Sequence, residues 1–192
     1  MTSWSRHACQ LALMPPPGLE AATRRPTTES TMDEHQFRAF YSRTAGPLRA
    51  YLASASGNRT LADDLLQESY FRLLRADPKT SDENHRKNYL FRIATNLLRD
   101  HFRRRREETG EPALTAASPS HGDRVQLRSD LMAVLGKLRR RDRELLWLAY
   151  VEGMSHREIA GVLGLSTASV RPMLFRARQR MAGLLRARGI GS

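Results

Sequence analysis

Apolar residues recur along this chain at three- and four-residue intervals, which predicts helices nearly throughout. Phe37, Phe40 and Tyr41 open the first series, and Leu48, Tyr51 and Leu52 continue it. Thr31 and Glu34 read as a capping box ahead of it. Gly57-Asn58 is a turn, and Thr60 with Asp63 reads as a second capping box. The helix it opens places Leu61, Leu65, Leu66, Leu73 and Leu74 inside. Residues 76–87 are polar, contain Pro78 and read as a loop. Leu90, Ile93, Ala94, Leu97 and Phe102 mark a third long helix over 89–106. Residues 107–122 hold two prolines and two glycines with almost no large apolar side chain, the composition of a linker. A further helical block starts near Asp123, with Leu127, Leu131, Val134, Leu135 and Leu138 on one face. No segment alternates at the strand period. The fold expected is all-α: two small helical modules, 32–106 and 123–188, joined by a flexible linker over 107–122. Residues 1–31 lack periodicity and read as a disordered N-terminal extension, with Met32 an alternative start.

The C-terminal module ends in a helix-turn-helix pattern. Ser155 and Glu158 form a capping box for its first helix. Ile159 and Leu163 face inward, and Ala160 is small where two helices must approach. Gly164 falls where the turn needs a positive φ. Ser166 is a suitable N-cap for the second helix, whose inner face is Val170, Leu174, Ala177, Met181 and Leu184. The second helix of such a unit enters the major groove and reaches base edges with its N-terminal residues. Thr167, Ser169 and Arg171 are therefore candidate readers beside Ser166. Arg176, Arg178 and Arg180 fall to phosphate. Pro172 objects, since proline inside a helix removes a donor and clashes one turn back. A kink or a late helix start is expected there.

Charge supports a nucleic-acid partner. The chain has 192 residues, 32 Lys+Arg against 20 Asp+Glu, and a formal charge of +12. An excess of this size suits a polyanion. Its distribution says more than its total. Basic residues dominate 86–106 and 137–188, whereas acids dominate 60–84. A protein that merely coats DNA needs no acidic helix. On the third helix Arg92, Asn96, Arg99 and Arg103 align on one face, with Tyr89 and Phe91 at its start. Basic residues interleaved with aromatics suit unstacked nucleic acid, and an asparagine amide reads a base edge as donor and acceptor. The plainer reading makes Tyr89 and Phe91 core residues and the arginines a solvated face.

Three stretches, ADDLLQESYFRLLRA (62–76), YLFRIATNLLRDHFRRRR (89–106) and EGMSHREIAGVLGLSTASVRPMLFRARQRM (152–181), resemble in this order the signature segments of extracytoplasmic-function sigma factors. These are the small alternative specificity subunits of bacterial RNA polymerase. The resemblance covers roughly 32–187 and implies roles. Asp63, Asp64, Gln67 and Glu68 match the segment that docks on the clamp helices of the largest catalytic polymerase subunit. Asn96 matches the position that captures a flipped base of the minus-ten element, and loop 77–88 the loop lining that base's pocket. Arg92, Arg99 and Arg103 lie where the family holds promoter DNA during melting, and Tyr89 stands where tryptophan is usual. Linker 107–122 matches the segment threaded toward the RNA exit path. The C-terminal module matches the minus-thirty-five reader. Two positions depart from the family: Pro172 replaces a small polar residue, and Met173 an often basic one. The partners implied are core RNA polymerase and promoter DNA, with an anti-sigma factor left open.

Composition narrows the alternatives. Cys9 is the single cysteine, so a disulfide framework and a cysteine-based zinc site are excluded. No apolar run approaches a membrane span, and a cytoplasmic protein is expected. His85, His101, His121 and His156 lie in separate segments without ligand spacing. No catalytic constellation, metal site or cofactor motif emerges, so no enzyme is expected. The competing reading is a stand-alone helix-turn-helix regulator.

Overall fold

The computed structural model describes residues 32–76, 78, 82–109 and 133–189. Helix α1 (Glu34–Ser56) starts at Asp33, whose carboxylate accepts the Gln36 amide at 2.7 Å while Gln36 accepts the Asp33 amide at 3.4 Å. The capping box is therefore Asp33–Gln36, not Thr31–Glu34; Glu34 pairs instead with Arg38, one turn along its own helix. Gly57 ends α1 in the left-handed conformation, φ 69°. Helix α2 (Arg59–Ala76) is capped by Asn58, whose side-chain oxygen accepts the Leu61 amide at 3.1 Å. The expected Thr60–Asp63 box does not form, because Asp63 is drawn to Arg49 on α1. Helix α3 (Glu83–Thr109) starts inside the expected 76–87 loop, where Asp82 accepts the Asn84 amide at 2.9 Å. It also runs past Arg106, so the first residues of the expected linker are its last turn.

Phe40, Leu48, Tyr51 and Leu52 of α1 pack against Ala62, Leu66 and Leu73 of α2 and Leu90, Phe91, Ala94 and Leu98 of α3. Buried hydroxyls are paired across this core: Tyr51 with Thr95 at 2.9 Å and Thr44 with Tyr70 at 2.6 Å. Leaving either unpaired would cost about 1–3 kcal/mol. Leu74, expected inside, is 39% exposed, since Leu73 already fills the inner position of that turn.

The second module follows residues 110–132, and the expected starts at Asp123, Leu127 and Leu131 lie outside the described residues, as does the extension 1–31. A short helical stretch, 133–137, leads to α4 (Arg140–Tyr150), α5 (His156–Leu163) and α6 (Thr167–Arg186). The Ser155–Glu158 capping box forms as expected, with both reciprocal hydrogen bonds. Gly164 turns the chain at φ 61°. Val170, Leu174 and Ala177 bury the inner face of α6. The helix neither starts late nor ends at Pro172, which lies within it. Proline supplies no amide for the carbonyl one turn back, that of Ala168.

The two modules share one core, and polar contacts seal the seam between them. Arg143, only 2% exposed, donates to the Ser54 carbonyl in the last turn of α1 at 2.6 Å, and to the Gly136 and Leu138 carbonyls at 3.1 Å. Arg99 of α3 and Arg141 of α4 both donate to the Leu163 carbonyl ending α5, at 2.6 and 3.2 Å. Asn84 and Asn88 donate to Glu158 at 2.6 and 2.8 Å, and Lys87 pairs with Glu152 at 2.9 Å. Glu144 lies sealed from solvent between Arg140 (3.4 Å) and Arg141 (3.8 Å). Burial pushes its carboxyl up, and the surrounding arginines pull it back.

Two outcomes follow from this seam. Replacing Arg143 with Met leaves three carbonyls without their donor. Chemical denaturation should show a loss of about 2–4 kcal/mol; a loss under ~0.5 kcal/mol would make the contacts incidental. Hydrogen bonds from Asn88 and Ser155 hold the Glu158 carboxyl down to about 2, from an ordinary 4.5. A depressed carboxylate contributes stability above its unfolded pKa, lost as pH falls through the folded one. The wild-type advantage over Glu158→Gln should therefore be full above pH 4.5 and vanish toward pH 2. Acid titration of unfolding checks this; a difference independent of pH would refute it.

Candidate nucleic-acid interface

The polar face of α3 survives in part. Arg92, Asn96 and Arg103 are exposed, and Arg103 leans on Asp100 at 3.2 Å. Arg99, aligned with them in sequence, is half-buried because its guanidinium turns to the end of α5. A cation there meets the unpaired terminal carbonyl and the negative end of the helix dipole. A Cβ on Gly164 would lie 3.7 Å from Arg99, so the turn and the guanidinium are close neighbours. Of the two aromatics, Phe91 is fully buried with its ring 5.5 Å from Tyr51, and belongs to the core. Tyr89 is half-buried against that core. Asn84, inside the loop expected over 76–87, and Asn88, just past it, hold Glu158. Their signal was a helical register shared with Arg92.

On α6 the N-terminal positions face outward. Ser166, Thr167 and Arg171 are exposed and Ser169 is half-buried. Ser166 is the N-cap, yet its hydroxyl meets the Ser169 hydroxyl at 2.6 Å and caps no amide. The first-turn amides are thus left without a side-chain acceptor, at the end of the helix that attracts anions. Arg176 is exposed and folds back to the Pro172 carbonyl at 3.3 Å. Arg178 is exposed and donates to the Tyr150 hydroxyl at 3.2 Å. Arg180 differs from its neighbours. It grips both oxygens of the buried Asp142 at 2.9 and 2.8 Å, which fixes α6 to α4. This pairing competes with the phosphate contact expected of it.

The acidic helix α2 presents a third surface. Asp63 is clasped by two of the three guanidinium nitrogens of Arg49, Nε and Nη2, which hold its carboxyl below the ordinary carboxylate range. Asp64 and Gln67 are exposed, and Glu68 pairs with Arg72 at 2.7 Å. Phe71, 54% exposed, and Leu74 lie on the same face, with Arg75 over the Phe71 ring at 5.5 Å. The sequence reading found the acids of this ridge and missed its apolar members. Their helical spacing from Asp64, through Gln67 and Glu68, was the available signal.

Among the described residues, no group of three His, Cys, Asp or Glu side chains is placed to hold a metal, and no helix is long and apolar enough to cross a membrane.

Two halves of the chain match known families. Residues 40–108 match Sigma-70 region 2, which covers α1 to α3 from Phe40 onward, and residues 128–181 match Sigma-70, region 4. The ECF RNA polymerase sigma factor EcfG of Rhodopseudomonas palustris is 34% identical over 143 residues, covering 72% of this chain and 78% of its own. The ECF RNA polymerase sigma factor SigM of Bacillus subtilis is 30% identical over 142 residues, covering 70% and 85%. Among solved structures, CnrH in complex with the cytosolic domain of CnrY aligns with a TM-score of 0.60 at 28% identity, over 81% of this chain and 90% of that one. The sigma factor RpoE from Bartonella quintana, in complex with the anti-sigma factor NepR, shares the fold, with a TM-score of 0.68 at 24% identity over 78% and 96%. The chain belongs to the extracytoplasmic-function sigma factors of RNA polymerase.

Proposed function

We propose that this chain binds core RNA polymerase in the cytoplasm and directs it to promoters, reading duplex DNA through α6 and unpaired minus-ten bases through α3. The observation that carries this is the coexistence, in one chain, of a helix-turn-helix whose second helix exposes Arg171, Arg176 and Arg178 and a separate exposed Arg92–Asn96–Arg103 face. The α2 ridge adds a third surface whose mixture of acids and exposed Phe71 and Leu74 suits a protein partner. A duplex-only regulator needs neither the α3 face nor that ridge. The chain performs no chemistry of its own in this reading; the polymerase does.

Each surface has a role. Asp64, Gln67 and Glu68 meet the polymerase clamp helices, with Asp63 holding Arg49 in place beside them. Asn96 reads a flipped minus-ten base, while Arg92 and Arg103 hold the backbone. Ser166, Thr167, Ser169 and Arg171 face the upstream element, with Arg176 and Arg178 on its phosphates. Arg99 joins the DNA set only after leaving the Leu163 carbonyl. The seam must part in any case. The two elements are centred about 25 base pairs apart, roughly 85 Å at the rise of B-DNA, whereas Arg99 and Leu163 are 2.6 Å apart. The complexes of RpoE with NepR and of CnrH with CnrY make an anti-sigma factor a natural further partner here, one that acts by controlling access to these faces.

In vitro transcription with core polymerase on a randomised promoter library tests the assignment. The protein should enrich a defined pair of elements; operator binding without any gain in initiation would favour the regulator. Asn96→Ala should relax selection at one base of the downstream element and leave the upstream element unchanged. Equal selection at every downstream position would remove that role. Phe71→Ala should weaken core binding at least about tenfold, since apolar anchors at the centre of an interface carry much of its energy. An unchanged affinity, measured by competition for core polymerase, would place the docking surface elsewhere.

A further inference from the structure

The outward face of α6 is not what a basic recognition helix leads one to expect. Val170, Leu174 and Ala177 are buried and define its inner side. Directly opposite them, at helical spacing, stand Ala168, Pro172 and Phe175, all exposed. Arg171 and Arg176 lie to either side of this line. Gln179 follows on the same line, two turns past Pro172. The N-terminal part of the reading face is therefore apolar at its centre, with hydrogen-bonding groups at its edges.

Pro172 sharpens the point. Its ring carries neither donor nor acceptor, and it has no amide to offer. It lies inside an unbroken helix, where proline is costly, and is exposed. Position 172 therefore cannot read a base by hydrogen bonding. In the major groove one base alone presents an apolar group, the 5-methyl of thymine, and small apolar side chains recognise it by contact. Ala168 lies one turn nearer the helix start, where base edges are within reach. Arg176 donates to the Pro172 carbonyl at 3.3 Å, so this neighbouring guanidinium is already engaged with the backbone.

We infer that Pro172, with Ala168, is a specificity determinant that selects thymine in the upstream element by contact with its 5-methyl group. This rests on the reading of α6 as the upstream-element helix. Arg171 supplies the polar discrimination at a neighbouring base, and the apolar centre supplies a methyl-dependent one.

The test uses holoenzyme reconstituted from the full chain and core polymerase, with promoters selected from the randomised library. The selected upstream element should contain thymine at one or two adjacent positions. Replacing that thymine with deoxyuridine removes the methyl and keeps every hydrogen-bonding group. Wild-type binding should then fall roughly three- to tenfold, measured by competition between the two duplexes. Pro172→Ser restores the helical amide and offers a hydroxyl; it should bind both duplexes equally and shift selection at that position. Pro172→Ala, which keeps a small apolar surface, should retain part of the preference. Equal wild-type affinity for thymine and uracil duplexes would overturn the inference, as would a Pro172→Ser protein with an unchanged thymine preference. A holoenzyme that selects no upstream sequence at all would instead overturn the assignment of α6, and this inference with it.

Discussion

The structure depends on guanidinium groups that reach the carbonyl ends of helices. A helix leaves its last carbonyls unpaired and carries partial negative charge there. Where such an end is buried against another element, something must donate to it. Arg143 does so for the last turn of α1, and Arg99 with Arg141 for the end of α5. The Arg143–Ser54 and Arg99–Leu163 contacts join one half of the chain to the other, and Arg141 adds a donor from within the second half. The fork of arginine suits the task because one side chain serves several acceptors, as Arg143 does with three. Glu144 and Asp142, both buried, then balance the positive charge that this arrangement draws inward.

That dependence explains what could be read from the sequence. Helices α1, α2, α3, α5 and α6 and the turn at Gly164 are legible because their causes are local: apolar spacing, a glycine at positive φ, and the Ser155–Glu158 caps; α4 (Arg140–Tyr150) is not separated from the block before it. Two other caps were placed wrongly. Thr60 with Asp63 matched the pattern, but the pattern knows nothing of Arg49, which lies on a different helix and takes the carboxylate. The start of α3 at Glu83 was hidden by its polar first turns, whose Asn84 and Asn88 look like loop residues until Glu158 is found opposite them. Leu74 and Leu73 are equivalent to a periodicity argument, and packing chose between them.

The candidate interface was legible as faces and not as individual states. Of Arg92, Asn96, Arg99 and Arg103, aligned by helical spacing, three share an exposed side of α3. The spacing could not reveal that Arg99 leaves that side for a carbonyl of the other module, because the contact spans 64 residues of chain. The same holds for Arg180, indistinguishable in sequence from Arg176 and Arg178 until Asp142 is seen beneath it. Phe91, set beside Tyr89 as an aromatic at the start of a basic helix, is core because it meets Tyr51. The acidic ridge of α2 was found through its charges, while Phe71 and Leu74 escaped because exposed apolar residues look like core in a linear pattern.

Arg180, bound to Asp142 by both carboxylate oxygens, has a consequence for how this protein would respond to ionic strength. The affinity of a protein for DNA falls with added salt in proportion to the phosphates it neutralises, because each contact releases condensed counterions. A count of arginines on the C-terminal module would suggest a steep dependence. Yet Arg141 and Arg143 donate to carbonyls inside the protein and Arg180 is paired with Asp142, so while these contacts hold the three are not free to neutralise phosphates. The basic composition of this chain is thus in part a structural adhesive. A salt dependence reckoned from the formal charge of +12 would therefore count cations that the fold already uses.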